Sequence, residues 1–318
     1  TGAPSWTPRT ARQPDCNVLQ SISVVQSSYF VNFTYQTTNV TISDMTLTGP
    51  QLHGGIYGEN CDGLEVSNVK FENFLWSGIR TFVMDDATIH DNEFIDAGRK
   101  QGGTTGGSIF LTYVKTTEIW NNRISKTSAV SEVYGIKGRE IRNSRSHHNT
   151  ILVNFAIEFP FENDFDTEID HNYLKGAISI PKDTGGTVPS SGVTFHIHHN
   201  YFTRPYSLEW PRNGSEVNNN LFDISTSQDW GNLISSFVSD TTNGSTKFHN
   251  NLIKNPGRGM FAADGKVNNI RFYNNHIIAN TTALPRTEGF FGFQAGSNFS
   301  TIEIKDNNIE CIGTSRPL

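Results

Sequence analysis

Apolar and polar residues alternate along this chain around a short motif that recurs many times. The motif is clearest where Ile169 and Leu174 flank the polar turn Asp-His-Asn. Each copy ends on an apolar anchor, and the anchors are Phe71, Phe94, Ile124, Ile151, Leu174, Phe202, Phe222, Ile253, Ile277 and Ile309. A spacing of roughly 20–32 residues is typical of a solenoid, and the alternation predicts strands rather than helices.

One asparagine lies at nearly the same place in every copy. Stacking the coils places these side chains above one another, so that each amide can donate to the next. A β-sandwich with asparagine-rich turns is the alternative, but its strands need no asparagine in phase. We therefore predict an all-β fold: a single right-handed parallel β-helix domain over residues 21–318, with about ten coils and an Asn ladder. Residues 1–20 are predicted to be an N-terminal extension that caps the stack.

A second strand recurs in each coil and is usually opened by glycine or a small residue. Its inward residues align as Ile56, Ile79, Ile109, Ile136, Ile157, Ile178, Leu208, Ile234, Phe261 and Phe291. Because side chains alternate faces along a strand, the next residue in each coil points outward. The predicted outward column is Tyr57, Arg80, Phe110, Lys137, Glu158, Ser179, Glu209, Ser235, Ala262 and Gly292. Its charges concentrate in one run of coils, which favours a site over a merely solvated face.

Composition narrows the partners and the compartment. The net charge of -6 and the lack of a Lys/Arg-rich run argue against nucleic acid, and no apolar stretch is long enough for a membrane helix. A start without methionine fits a mature, processed or trimmed protein, and we expect a monomer that is secreted, extracellular or periplasmic. Cys311 lies about nine coils from Cys61, roughly 40 Å at ~4.8 Å per coil, so only Cys16 and Cys61 can pair.

The in-phase Asn ladder on repeated strands resembles the pectate-lyase-like superfamily of right-handed parallel β-helices, over roughly residues 20–315. This superfamily includes polysaccharide lyases, glycoside hydrolases, uronan epimerases and phage tailspikes. The likeness is architectural, because the calcium-site pattern of pectate lyases, the paired aspartates of polygalacturonases and the Asp-Pro-His-Asp motif of mannuronan epimerases are absent. Lyases of this fold that use Lys and Arg carry a Glu-x-Glu calcium site. Here the nearest acidic run is Glu158 with Glu162-Asn163-Asp164, so no cofactor is predicted and Ca2+ is kept open.

The resemblance implies a carbohydrate-active enzyme that cleaves an acidic, uronate-containing polysaccharide by β-elimination. This reaction removes the proton at C5, so it needs a base within hydrogen-bond reach and a cation for the carboxylate. Lys137 tuned by Glu158, or Tyr134, is a candidate base. Arg80 or Arg139 can bind the carboxylate through two hydrogen bonds.

Two alternatives stay open. Glu158 and Glu209 lie two coils apart, about 9.6 Å between Cα atoms, near the carboxyl separation of inverting glycosidases. The other alternative is a non-catalytic polysaccharide-binding or tailspike-like protein. The catalytic candidates are thus Lys137, Glu158, Arg80 and Glu209, and the substrate-binding candidates are Arg139, Lys182, Arg212, Tyr57, Tyr134 and Trp76. Paired histidines beside the ladder suggest a metal, but Asn or Asp fills the same place in other coils, so no metal site is predicted.

Overall fold

The computed structural model describes residues 29–34, 37–49, 52–101, 104–127, 130, 132–159, 166–180, 195–204, 207–209, 214–224, 233–235, 246–256, 261–263, 266–280, 291–293 and 298–312. The chain divides into two compact units, Thr1–Phe159 and Pro160–Leu318. Within the described ranges the regular structure is all strand, and no helix there is long and apolar enough to cross a membrane. The predicted extension over 1–20 lies outside the described residues.

The first unit consists of short strands that return to the same two sheets. These strands are β1 (Tyr29–Thr34), β2 (Thr41–Thr48), β3 (Gly54–Glu59), β4 (Glu65–Glu72), β5 (Ser77–Asp85), β6 (Thr88–His90), β7 (Glu93–Ile95), β8 (Lys100–Gln101), β9 (Thr104–Thr105), β10 (Ile109–Lys115), β11 (Glu118–Trp120), β12 (Arg123–Ser125), β13 (Tyr134–Arg142), β14 (Arg145–His147), β15 (Thr150–Leu152) and β16 (Phe155–Glu158). One sheet has the order β1-β3-β5-β10-β13-β16. In the other sheet all pairs are parallel. β2 pairs with β4, and β4 pairs with both β6 and β7. β6 then pairs with β11 and β11 with β14, while β7 pairs with β12 and β12 with β15.

The second unit repeats the arrangement. Its strands are β17 (Thr167–Asp170), β18 (Tyr173–Leu174), β19 (Ala177–Ser179), β20 (Phe195–His198), β21 (Tyr201–Phe202), β22 (Leu208–Glu209), β23 (Glu216–Asn218), β24 (Leu221–Asp223), β25 (Ile234–Ser235), β26 (Thr246–His249), β27 (Leu252–Lys254), β28 (Phe261–Ala263), β29 (Lys266–Tyr273), β30 (His276–Asn280), β31 (Phe291–Phe293), β32 (Asn298–Lys305) and β33 (Asn308–Ile312). One sheet runs β19-β22-β25-β28-β31, and the remaining strands pair in parallel from coil to coil.

Parallel pairing between successive coils confirms the predicted right-handed parallel β-helix, since parallel crossovers are almost always right-handed. The count of about ten coils and the single-domain boundaries remain predictions. The inward alignment holds in the first unit, where Ile56, Ile79, Ile109, Ile136 and Ile157 pair in sequence and are each 0% exposed. In the second unit the same alignment runs through Ile178, Leu208, Ile234, Phe261 and Phe291.

The recurring motif is a pair of strands joined by a corner, and the corner has a specific backbone. Its first residue lies in the left-handed region, as at Asp91 (φ 55°), Asn121 (φ 52°) and His148 (φ 54°). Asn, Asp and His adopt this conformation more readily than other non-glycine residues. The inward asparagine follows directly, so the corner explains why the repeat reads Asp/Asn/His and then Asn.

The predicted Asn ladder is present in both units. Each rung donates its side-chain amide to the carbonyl oxygen of the next asparagine, and in the first unit the rungs Asn92, Asn122 and Asn149 are joined at 3.0 Å. In the second unit the rungs are Asn172, Asn200, Asn220, Asn251, Asn275 and Asn307, with amide to carbonyl distances of 2.9–3.1 Å. The ladder begins at Val69, whose backbone N–H donates to Asn92, so the first copy of the motif lacks a rung.

Cys61 is buried, at 2% exposure. Its predicted partner Cys16 lies outside the described residues, so the Cys16–Cys61 pairing stays a prediction.

Candidate functional site

The outward column predicted from strand alternation exists in the first unit. Tyr57 pairs with Arg80, Arg80 with Phe110, Phe110 with Lys137, and Lys137 with Glu158. These residues belong to β3, β5, β10, β13 and β16, which are neighbouring strands of one sheet. Parallel strands lie about 4.8 Å apart, so consecutive members of the column are close enough for their side chains to touch.

Lys137 and Glu158 form a close ion pair on this face. The Lys137 Nζ lies 2.9 Å from the Glu158 Oε1, and the two side chains are only 10% and 14% exposed. A charged hydrogen bond with so little solvent is stronger than a surface ion pair, but each charge has also lost most of its hydration. The two groups therefore hold an acid and a base together in a poorly hydrated place, which is a common property of active sites.

The surroundings of Lys137 fix its position. The ring of Tyr134 lies 5.2 Å from the Lys137 Nζ and stacks on Phe155 with centroids 4.7 Å apart. The Tyr134 hydroxyl donates to Glu132 at 3.2 Å. On the other side, a Cβ added to Gly107 would lie 2.8 Å from the Lys137 Cβ, so only glycine lets this segment pass over the lysine stem.

Arg80 lies in a cage of aromatic rings, which we call the Arg80 cage: Arg80 with Tyr29, Tyr57, Trp76 and Phe110. The guanidinium carbon is 4.1 Å from the Trp76 ring centroid, 5.6 Å from that of Tyr57 and 5.7 Å from that of Phe110. Three polar atoms here are buried without a hydrogen-bond partner: Arg80 Nε, Trp76 Nε1 and the Tyr29 hydroxyl. Among the described residues no carboxylate forms an ion pair with Arg80, and the cage holds the cation by its ring faces.

The phenols of the cage are neutral at ordinary pH. Burial, together with the hydrogen bond that Tyr57 donates to Glu59 at 3.0 Å, raises the pKa of Tyr57 to about 12. Burial also raises the pKa of Tyr29, and the positive charge of Arg80 offsets only part of that effect, although the two groups do not meet hydrogen-bond geometry. Neither phenol supplies a negative charge that would neutralise Arg80.

The other predicted site residues fall in different places. Arg139 lies on β13 two residues after Lys137, on the same face, and is exposed. Glu209 lies on β22 in the second unit, in register with Ser179 and Ser235, and its side chain is not among those described. Lys182 and Arg212 lie outside the described residues. The pairing of Glu158 with Glu209 joins residues of the two units and remains a prediction.

Sequence reasoning missed Tyr29 and two glycines. Tyr29 is the first residue of β1. The alignment of the repeated strands did not include β1, although β1 pairs with β3 and places Asn32 beside Tyr57. Gly106 passes so close to Trp76 that an added Cβ would collide with the Trp76 carbonyl, and Gly107 covers the lysine stem. The signal for the two glycines was the run Gly106-Gly107, one residue before β10.

The histidines beside the ladder pair with acids and with each other. His198 contacts Glu168 at 2.8 Å, and its Nδ1 lies 2.8 Å from the Nδ1 of His199. The ring of His199 stacks on His171 with centroids 5.0 Å apart, and burial lowers the pKa of His199. Across the described ranges, no group of three or more His, Cys, Asp or Glu side chains is placed to hold a metal ion.

Comparisons with known proteins match the chain to one family profile and to solved structures of low identity. A family profile described as "Periplasmic copper-binding protein (NosD)" matches residues 10–209, whereas no curated protein matches the chain. The catalytic domain of a GH87 alpha-1,3-glucanase in complex with nigerose is 13% identical with a TM-score of 0.55 over 87% of this chain, which spans 56% of the glucanase chain, little more than half.

Two further solved structures are also similar. PfbA, a surface adhesin of Streptococcus pneumoniae, is 14% identical with a TM-score of 0.48 over 88% of this chain and 70% of its own. A hyperthermoactive exopolygalacturonase from Thermotoga maritima is 9% identical with a TM-score of 0.41 over 88% of this chain and 80% of its own. At 13% identity the glucanase shows a shared fold alone, and none of these likenesses transfers a reaction.

Proposed function

This chain belongs to the NosD family, and we propose that on its β-helix scaffold it is a carbohydrate-active enzyme that cleaves an acidic, uronate-containing polysaccharide by β-elimination. The observation that supports the proposal is the Lys137–Glu158 pair, joined at 2.9 Å and nearly buried on the outward face. The family description names the periplasm, in keeping with an exported protein, secreted or periplasmic. We further propose that it acts as a monomer.

A carbohydrate substrate is in keeping with the glucanase that shares the fold, whose catalytic domain is in complex with nigerose. This is an analogy at the level of the fold. The residues of this chain have to support the reaction by themselves.

The pair has the two groups that a β-elimination needs. The base removes the proton at C5, the electron pair forms the C4–C5 double bond, the C4–O4 bond breaks, and O4 takes up a proton. The ion pair places a carboxylate, which can accept a proton, beside an ammonium, which can donate one. We therefore assign Glu158 as the base and Lys137 as the acid that protonates O4, in place of the Lys137 or Tyr134 base expected from the sequence. The 2.9 Å contact then lets the proton pass from Glu158 back to Lys137.

The remaining site residues position the substrate in this proposal. Tyr134 packs beside Lys137 and orients it. Arg139, two residues after Lys137 on β13, supplies the cation that stabilises the carboxylate as negative charge develops on C5. The acidic run Glu162-Asn163-Asp164 lies outside the described residues, so calcium is neither assigned a site nor given a step.

Copper is named by the family but does not fit the described residues. Copper sites use several nitrogen or sulfur ligands converging on one ion. The described residues offer adjacent histidine pairs, such as His198 with His199, but no group of three or more suitable side chains. We therefore propose no copper site in this part of the chain.

The experiment is an assay of the purified protein on alginate, pectate and glycosaminoglycans, read by ultraviolet absorbance and by new reducing ends. A lyase produces both signals together. Lys137→Ala and Glu158→Ala should each lower turnover by ~10²-fold or more. Lys115→Gln is the matched control, because within the described ranges the ammonium of this exposed lysine pairs only with Asp85, at 3.4 Å, and its loss should leave turnover unchanged.

Other outcomes would overturn the proposal in defined ways. Reducing ends without absorbance would show a hydrolase, as the shared fold with a glycoside hydrolase also allows, with Glu158 and Glu209 as the candidate acid and base. Binding without either signal would show a non-catalytic polysaccharide-binding protein. Full elimination activity in both Lys137→Ala and Glu158→Ala would move the site elsewhere.

A further inference from the structure

We infer that the Arg80 cage binds the carboxylate of a second uronate, about two or three sugars from the one that reacts at Lys137 and Glu158. The inference rests on the proposed function and deepens it, because it requires a second acidic sugar in the same substrate chain. Arg80 and Lys137, which the sequence placed in one outward column, then have different roles: Arg80 binds substrate and Lys137 takes part in the reaction.

The first argument is distance. Arg80 and Lys137 are two strands apart with Phe110 between them, which is about 9.6 Å between Cα atoms at the usual strand spacing. The Lys137 side chain also points away from Arg80, and the Arg80 guanidinium does not reach toward it, lying 5.6 Å from the Tyr57 centroid and 5.7 Å from that of Phe110. Lys137 reaches Glu158 on the far side at 2.9 Å, whereas the Arg80 guanidinium is held over Trp76 at 4.1 Å.

This separation excludes Arg80 from the reacting carboxylate. In a uronate, the carbon that loses its proton is bonded directly to the carboxyl carbon. A base at Glu158 and a cation at Arg80 therefore cannot serve C5 and C6 of one sugar. A glycosidic repeat is of the same order as the ~4.8 Å coil spacing. The cage is two coils from Lys137 and three from Glu158, so it lies about two or three sugars along a chain laid across the coils.

The second argument is charge. Arg80 has no carboxylate partner among the described residues, and its phenol neighbours stay neutral because burial raises their pKa values. A guanidinium that is desolvated by rings and not neutralised by the protein favours an anionic ligand.

The third argument is orientation. The Arg80 Nε is buried against the rings without a partner, which leaves Nη1 and Nη2 as the outer edge of the guanidinium. That edge matches the two oxygens of a planar carboxylate in a bidentate pair. Trp76 and Gly106 fix the arginine from below, since Gly106 packs directly on Trp76, so the fork is held in place before the ligand arrives.

The test measures binding by calorimetry in a Glu158→Gln background that prevents turnover. The probes are oligosaccharides of galacturonate, of mannuronate and of hyaluronan, each as the free acid and as the methyl ester. We expect at least one free acid to bind and its methyl ester to bind at least 10-fold more weakly. Arg80→Gln should weaken the free acid by a similar factor and reduce the preference by the same factor. Lys115→Gln should change neither.

Arg80→Lys provides a second variant if Arg80→Gln folds poorly. It keeps the charge and the stem but loses the fork, so it should recover only part of the affinity. Absence of binding by every free acid, or equal binding of acid and ester, would overturn the inference, as would unchanged affinity in a folded Arg80→Gln protein.

Kinetics separate this inference from the proposed function. In the otherwise unchanged protein, Arg80→Gln should raise KM at least 10-fold while kcat changes far less, because a sugar away from the reacting bond contributes binding energy that is similar in ground state and transition state. A large fall in kcat with little change in KM would instead place Arg80 at the reacting carboxylate. If no substrate gives unsaturated product but the Arg80-dependent preference for free acids persists, the elimination proposal fails and the carboxylate site stands.

Discussion

Replacing Asn122 with leucine would remove the middle rung of the ladder in the first unit. Asn122 is 1% exposed. Its side-chain amide donates to the carbonyls of Ile89 at 2.8 Å and Trp120 at 2.9 Å and to the Asn149 side chain at 3.0 Å. Its side-chain oxygen accepts from the backbone N–H of Asn92 at 3.2 Å and from the Asn92 amide at 3.0 Å.

Most of these partners keep another hydrogen bond after the change, and this sets the magnitude. The Asn92 amide still donates to Val66, the Asn149 oxygen still accepts from the Asn122 backbone, and the Trp120 carbonyl still accepts from the backbone of the preceding coil. The backbone N–H of Asn92 loses its side-chain acceptor. One buried donor without a partner costs ~1–3 kcal/mol, so the free energy of unfolding should fall by about that amount.

The assay is urea denaturation followed by circular dichroism, with hydrogen exchange at the Asn92 amide as a local readout. Asn121→Gly is the matched control, because Asn121 is exposed and its φ of 52° suits glycine. The control should change stability by less than about 0.5 kcal/mol. An Asn122→Leu protein with the midpoint of the control and unchanged protection at Asn92 would refute the ladder argument.

Two further predictions concern stability. The pKa of the Tyr57 phenol is about 12 in the folded protein, against 10.0 ordinarily, so the contribution of its protonated form to stability is complete below pH 10 and is lost as the pH rises toward 12. Tyr57→Phe should flatten this part of a plot of urea midpoint against pH, and an unchanged slope would contradict the assignment. Val83 is 41% exposed with a φ of 55°, which is strained for a β-branched residue, so Val83→Gly should raise the thermal midpoint by relieving ~1 kcal/mol of strain, whereas a lowered midpoint would mean that the valine side chain contributes more than its backbone costs.

The fold could be predicted because the same pattern of apolar residues and asparagine recurs in successive coils. Each coil supplies its own inward isoleucine and its own asparagine, so an error in one copy is corrected by the next. The pairing of Ile79 with Ile109 and of Ile109 with Ile136 follows from that alignment. The corner before each asparagine was less evident, since left-handed backbone at Asp91 or His148 is a local preference that many turns share.

The site was predicted less completely because strand alternation decides which side chains face outward and not which neighbour each one contacts. The order of the column still holds part of the answer. Lys137 has Phe110 on one side and Glu158 on the other, and Coulomb attraction selects the carboxylate. Arg80 has Tyr57 on one side and Phe110 on the other, so neither residue in register with it is an anion.

What the column could not show is the support from residues outside it. Trp76 precedes β5 and contributes the ring nearest to Arg80, while Gly106 and Gly107 precede β10 and cover Trp76 and Lys137. Connections of this kind have no repeating pattern, because each coil makes its own. The core of a repeat scaffold is thus predictable, whereas the connections differ from coil to coil. In the first unit these connections help to divide one charged face into the Lys137–Glu158 ion pair and the aromatic-caged Arg80.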